Sequence, residues 1–223
     1  MHSAAPLSHA RLAGFLYLIP MFLGPFSMMY VPAVIVVPGD TAATAAHLVE
    51  STSLFRMGML SDAVIVLSEL ALTAVLYFLL KPAGRTLALT ATLARLAMTA
   101  LQAANLLPEL AALELAHGSP ESAVLALRLH DLFALVWQIP FGFHCLLVAV
   151  LVFRSGFFPR ALGVLMGIAG LGYTLNGLGC LVLPESAPTL AAIVGVAALV
   201  GEVPFVLWLV FKGADEARWR AAA

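Results

Sequence analysis

Charge is what this sequence has least of. Of 223 residues, 10% are charged, 11 Lys+Arg against 12 Asp+Glu, where a soluble domain carries about 25%. So few charges cannot cover a water-facing surface, which excludes a soluble globular enzyme and a disordered chain. A net charge of −1 excludes a basic nucleic-acid binder. Cysteine is scarce: Cys145 and Cys180 both sit in apolar stretches, so neither a disulfide framework nor a paired-cysteine metal motif follows. Phosphate-loop, dinucleotide-glycine, HExxH and GxSxG strings are missing as well. What is abundant is apolar: 62% of the residues are hydrophobic and mean hydropathy is +1.03. The composition is that of an integral membrane protein.

Six apolar runs, at about 12–37, 57–80, 86–107, 132–153, 161–183 and 190–211, each have the roughly 20 residues needed to cross a hydrocarbon core of about 30 Å. They are long, rich in Leu and Ala and without period-2 alternation, so helices are expected and barrel strands are not. The first run exceeds a signal-peptide core and has no small-residue cleavage site after it, so it reads as a span. The expected fold is an all-α bundle of six transmembrane helices forming one domain over residues 1–223. Basic residues orient it. Arg11, Lys81, Arg85, Arg154, Arg160, Lys212, Arg218 and Arg220 fall on one side, and only Arg56 and Arg128 on the other. The positive-inside rule then places both termini in the cytoplasm. Two long loops, Pro38–Phe55 and about 116–130, are expected outside.

Several strings carry a resemblance: RLAGFLYLI from Arg11, VPGDTAATAAHL from Val37, SLFRMG from Ser53, LKPAGR from Leu80, HCLLVAVLVFRSGFFPR from His144 and AGLGY from Ala169. In this order they resemble a bacterial six-pass membrane family catalogued as domain of unknown function 4386. The resemblance spans nearly the whole chain and implies a six-pass membrane protein, but no activity. Function has to be argued from the residues.

Counting up each span from its basic end, at about 1.5 Å per residue, puts Glu69 about 18 Å and Arg95, His144 and Glu202 about 15 Å into the membrane. That is the midplane. A single charge there costs about 2.5–3.5 kcal/mol, so these groups are expected to face inward and one another, with Arg95 paired to Glu69 or Glu202. Glu69 and Glu202 are the acid/base candidates, His144 a proton carrier and Arg95 an anion anchor. Polar residues at heptad or i, i+3, i+7 spacing extend each stripe toward the outer side: Asp62 with Glu69, Gln102 with Arg95, Gln138 on span four, Tyr173 and Asn176 on span five. Asp62, Gln102, Gln138, Tyr173 and Asn176 are therefore the candidate substrate-binding residues. Pro20, Pro25, Pro140 and Pro204 kink their spans and can widen a cavity. The inner halves are plain, so the cavity is expected to open outward and to border at least three of the four midplane groups.

Each signal also has a plainer meaning. Arg95 with one carboxylate fits structural glue between helices. The amides fit interhelical hydrogen bonds, and the Gly163-x-x-x-Gly167 string fits internal packing. One midplane histidine excludes bis-histidine haem ligation. His47, His117 and His130 fall on the outer side with Asp40 and Asp131 but form no i, i+3 or i, i+4 pair, so no metal site or cofactor is expected, and whether these histidines bind a metal is not legible from the sequence. The leading expectation is a membrane-embedded enzyme acting on a lipophilic small molecule by acid/base chemistry. The alternatives are a small proton-coupled transporter and a non-catalytic sensor or partner subunit. The expected partners are the lipid bilayer and such a small molecule, with no nucleic acid. Substrate identity and oligomeric state are not legible.

Overall fold

The computed structural model describes residues 6–223, all of whose regular structure is helical. The helices are α1 Pro6–Pro25, α2 Val31–Ile35, α3 Thr41–Glu50, α4 Thr52–Leu80, α5 Arg85–Ala104, α6 Leu106–Leu115, α7 Pro120–Ser155, α8 Arg160–Val182, α9 Ala187–Phe211 and α10 Glu216–Ala222. Six stretches are long and apolar enough to cross a membrane: Pro6–Ile35, Thr52–Ala83, Arg85–Leu115, Pro120–Ser155, Arg160–Val182 and Pro184–Phe211. The chain is thus an all-α protein with six membrane-length helices.

Local chemistry explains where these helices bend and stop. Pro20 and Pro25 each remove a backbone donor from α1, and the chain passes through a π-helical turn, Phe26–Tyr30, before resuming in α2. Pro108 does the same to the third span, which is interrupted at Asn105 between α5 and α6. Neither of the segments expected to be long outer loops is open. Residues 41–50 form α3, whose first turn is capped by Asp40 accepting from the Ala43 N–H at 2.8 Å. The fourth span begins at Pro120 rather than near 132 and runs 36 residues, about 54 Å of helix. Arg128, His130 and Asp131 had marked it as loop. Hydropathy reads lipid contact, whereas a helix continues wherever its backbone is satisfied and its residues favour it.

The chain forms two compact units. The first comprises residues 1–18, 69–99 and 135–223, and the second residues 19–68 and 100–134. In the second unit the core is Val31, Ile35, Leu48, Phe55, Ala112, Ala116, Ala123 and Ala126. In the first, small residues let backbones approach. A Cβ on Gly163 would stand 2.8 Å from both the Ala149 carbonyl and the Phe153 nitrogen, and one on Gly201 2.5 Å from the Leu165 carbonyl. Gly163 of α8 and Gly201 of α9 are therefore spent on packing within the chain. Beyond α9, Asp215 caps α10 by accepting from the Arg218 N–H, the Trp219 indole donates to the Leu79 carbonyl at 2.8 Å, and Arg218 donates to the Gly156 carbonyl at 3.0 Å.

Gly163→Ala should destabilise the protein by about 1–3 kcal/mol, because rigid backbone stands where the methyl would go. Gly195→Ala, which meets nothing within 4 Å, should be neutral or stabilising. Thermal unfolding in detergent checks both, and equal effects would contradict the close α7–α8 packing.

Candidate functional site

Arg95 is the largest side chain fully buried in the protein, at 0% exposure. Its helix, α5, places it in the first unit beside Glu69 of α4, His144 of α7 and Tyr17 of α1. Nη2 is ion-paired with the Glu69 carboxylate. Nη1 donates to the Tyr17 hydroxyl at 3.2 Å and to His144 Nε2 at 3.0 Å. The guanidinium carbon also lies over two aromatic rings, 5.0 Å from the centroid of Tyr17 and 5.6 Å from that of Phe141. Nε has no hydrogen-bond partner among the described residues.

These bonds fix the state of His144. A guanidinium carries only donors, so Nε2 must present its lone pair. The other nitrogen, Nδ1, lies 2.8 Å from the Ala91 carbonyl, which can only accept. His144 is therefore the neutral Nδ1–H tautomer with both nitrogens engaged. Phe141 covers its face at 6.0 Å and 12°. The proton-carrier role expected for His144 does not fit this arrangement, because its one free lone pair is occupied by Arg95.

The carboxylate of Glu202, on α9, is held differently. Its Oε1 accepts from the Tyr173 hydroxyl at 2.6 Å. Tyr173 packs edge-on against Phe141, 4.7 Å between centroids, so aromatic contact links the two carboxylate systems. Of the two candidate partners for Arg95, Glu69 takes the ion pair and Glu202 takes a phenol. Further along the same helices, the Asn176 amide donates to Gln138 Oε1 at 2.8 Å, and the Cys180 thiol donates to Asn176 Oδ1 at 3.6 Å. Gln138 and Asn176 are both buried and bonded to each other, as interhelical glue would be.

Asp62 and Gln102, expected to extend the same stripes, belong to the second unit with Asn105, Glu109 and His130. Two residues of the first-unit site carry no signal in the sequence reading. Phe141 is one more aromatic in an apolar run. Tyr17 is the other: α1 starts at Pro6 rather than near 12, which puts Tyr17 11 residues up, about 17 Å, level with Arg95.

A cavity borders the site, on the side opposite to the expected one. It lies between Arg95 and the Lys81–Arg85 turn, lined by Thr73, Leu76, Ala88, Ala91, Thr92 and their neighbours, and touches Arg95 and His144 but neither carboxylate. Its volume of about 10 Å³ is room for about one water. Ala88 and Ala91 help to line it, in a stretch expected to be a plain wall. Among the described residues, no group of three or more His, Cys, Asp or Glu is placed to hold a metal ion.

Arg95→Leu should cost about 3–5 kcal/mol by stranding the Glu69 carboxylate in the interior. Adding Glu69→Gln should recover part of that loss, whereas adding Glu202→Gln should not. Unfolding of the single and double variants in detergent measures the coupling, and coupling to Glu202 instead would refute the assignment.

Residues 12–213 match the profile of a family described as Domain of unknown function (DUF4386). An uncharacterized protein of Archaeoglobus fulgidus is 30% identical over 154 residues, which is 67% of this chain and 79% of that one. No solved structure matches. The chain, an integral membrane protein by its helices and composition, belongs to the family described as Domain of unknown function (DUF4386).

Proposed function

We propose that this protein is a membrane-embedded enzyme acting on a lipophilic small molecule by acid/base chemistry, with Glu202 as the proton-exchanging group. One observation carries the reading. Arg95 is balanced by Glu69 and satisfied by Tyr17 and His144, while the hydrogen bond to Glu202 comes from a neutral phenol. A carboxyl without a paired cation, in an apolar helix, is the group free to gain and lose a proton. Tyr173 orients it and supplies a second hydroxyl beside it. Glu202 is only half-buried, and α9 is mostly apolar surface, so a lipophilic molecule reaches it sideways from the bilayer. The Glu69–Arg95–His144–Tyr17 cluster is then a fixed electrostatic support, with roles in positioning.

A second reading, proton-coupled transport, is favoured by the cavity. A single water there would touch Arg95 and His144 from the Lys81–Arg85 end. The two readings separate experimentally. The purified protein in lipid nanodiscs is incubated with total lipid extract from the expression host, and products are followed by mass spectrometry. An enzyme should form a product in nanodiscs, and Glu202→Gln should lower its rate by about 10²-fold or more. Tyr173→Phe should also lower it. A transporter should show no product but should move protons in sealed vesicles under a gradient. Absence of product, with Glu202→Gln and wild type alike, would overturn the enzyme reading.

For orientation, we propose both termini in the cytoplasm on the distribution of basic residues, in a chain of the inner membrane. In a background without Cys145 and Cys180, His117→Cys and Ala217→Cys, both at exposed sites, should react with an impermeant thiol reagent from opposite sides. Reaction of both from one side would refute it.

A further inference from the structure

The second unit holds polar groups that the acid/base site does not use. Glu109 and Asn105, 6% and 7% exposed, lie four residues apart on one face of the third span. Gln102 lies three residues before Asn105. The side-chain oxygens Glu109 Oε2, Asn105 Oδ1 and Gln102 Oε1 are all buried, and none has a hydrogen-bond partner among the described residues. On α4, Asp62 is hydrogen-bonded to Ser27 of the π-helical turn. His130 of α7 is the basic side chain facing this group: its Nδ1 stands 3.4 Å from the Asn105 carbonyl and 3.9 Å from Glu109 Oε1. Arg56 and Arg128, the arginines of this unit, are exposed.

The backbone adds to the same sign of charge. α5 ends at Ala104, and Pro108 has no N–H to give to the Ala104 carbonyl. The Asn105 N–H still serves the Leu101 and Gln102 carbonyls, so the Ala104 carbonyl is the one that Pro108 leaves without its usual donor, and interrupted helices coordinate sodium or protons in transporters through such carbonyls. Here that carbonyl accompanies three buried acceptors lacking a donor, with His130 the basic side chain beside Glu109. Buried oxygens without donors call for a positive ligand. The donor set is carboxylate, amide and backbone carbonyl, which suits a hard ion. No trio of His, Cys, Asp or Glu exists among the described residues for a transition metal or a fully charged divalent site.

From this geometry we infer that the second unit binds one monovalent alkali cation at the break of the third span, through Gln102, Asn105 and Glu109. The ion neutralises a carboxylate that the interior otherwise leaves unmatched and ties the two halves of the interrupted span together.

Binding of radiolabelled sodium to the purified full chain in detergent tests this. Wild type should bind saturably, and unlabelled sodium or potassium chloride, but not choline chloride, should displace the label. Glu109→Gln and Asn105→Leu should each weaken binding about tenfold or more. Glu121→Gln, which removes an exposed carboxylate from the same unit, should bind as wild type does. In wild type alone, the unfolding temperature should rise with sodium chloride over choline chloride at equal ionic strength, which keeps the test valid if a variant fails to fold. Absence of saturable binding, equal loss in Glu121→Gln, or displacement by calcium at far lower concentration than by sodium would each overturn the proposal.

Discussion

A guanidinium at zero exposure in a helix of a membrane protein is the constraint around which the first unit is arranged. Arg95 cannot lose its charge, and lipid offers it no solvent. The protein supplies a carboxylate, a phenol, an imidazole lone pair and two aromatic faces, drawn from α1, α4 and α7. Each partner is committed by the demand. Glu69 is held as a counter-ion, His144 is locked in one tautomer, and Phe141 is shared between Arg95, His144 and Tyr173. Glu202 differs because this demand is met without its hydrogen bond.

The close packing that surrounds the cluster has the same logic. Polar groups in a low-dielectric interior act strongly only when distances are short and fixed, and fixed distances require helices that do not slide. Gly163 and Gly201 bring α7, α8 and α9 to backbone contact, and the Gln138–Asn176 bond ties α7 to α8. The second unit is built otherwise, with prolines and a π-helical turn interrupting its spans. There, acceptors are left over rather than matched.

The sequence made the spans and most of the polar residues of the first unit legible, because long apolar runs and rare charges stand out against each other. Counting residues up from Lys81, Arg85, Arg154 and Lys212 selected Glu69, Arg95, His144 and Glu202, all of which lie in one unit. It could not choose between Glu69 and Glu202 as the ion-pair partner, since that depends on helix rotation and tilt. Tyr17 and Phe141 were hidden because an aromatic ring in an apolar run has no distinguishing pattern until a cation sits on it. The cavity was misjudged because most of its lining is apolar and carries no polar signal. The helix at 41–50 had its signal in Asp40-Thr41 but was masked by length-based reading of the segment as a loop.

The order in which these partners are synthesised follows from their spacing. Glu69 precedes Arg95 by 26 residues, about 1–5 s of translation, and only the short Lys81–Gly84 turn separates their helices. α4 and α5 therefore reach the bilayer as a hairpin in which the arginine meets its counter-ion at once, so the charge never crosses hydrocarbon alone. His144 comes 49 residues later and finds an already neutral pair. The insertion machinery handles a neutral hairpin first, with Tyr17 of α1 already made, and the imidazole and the Phe141 contact are added afterward.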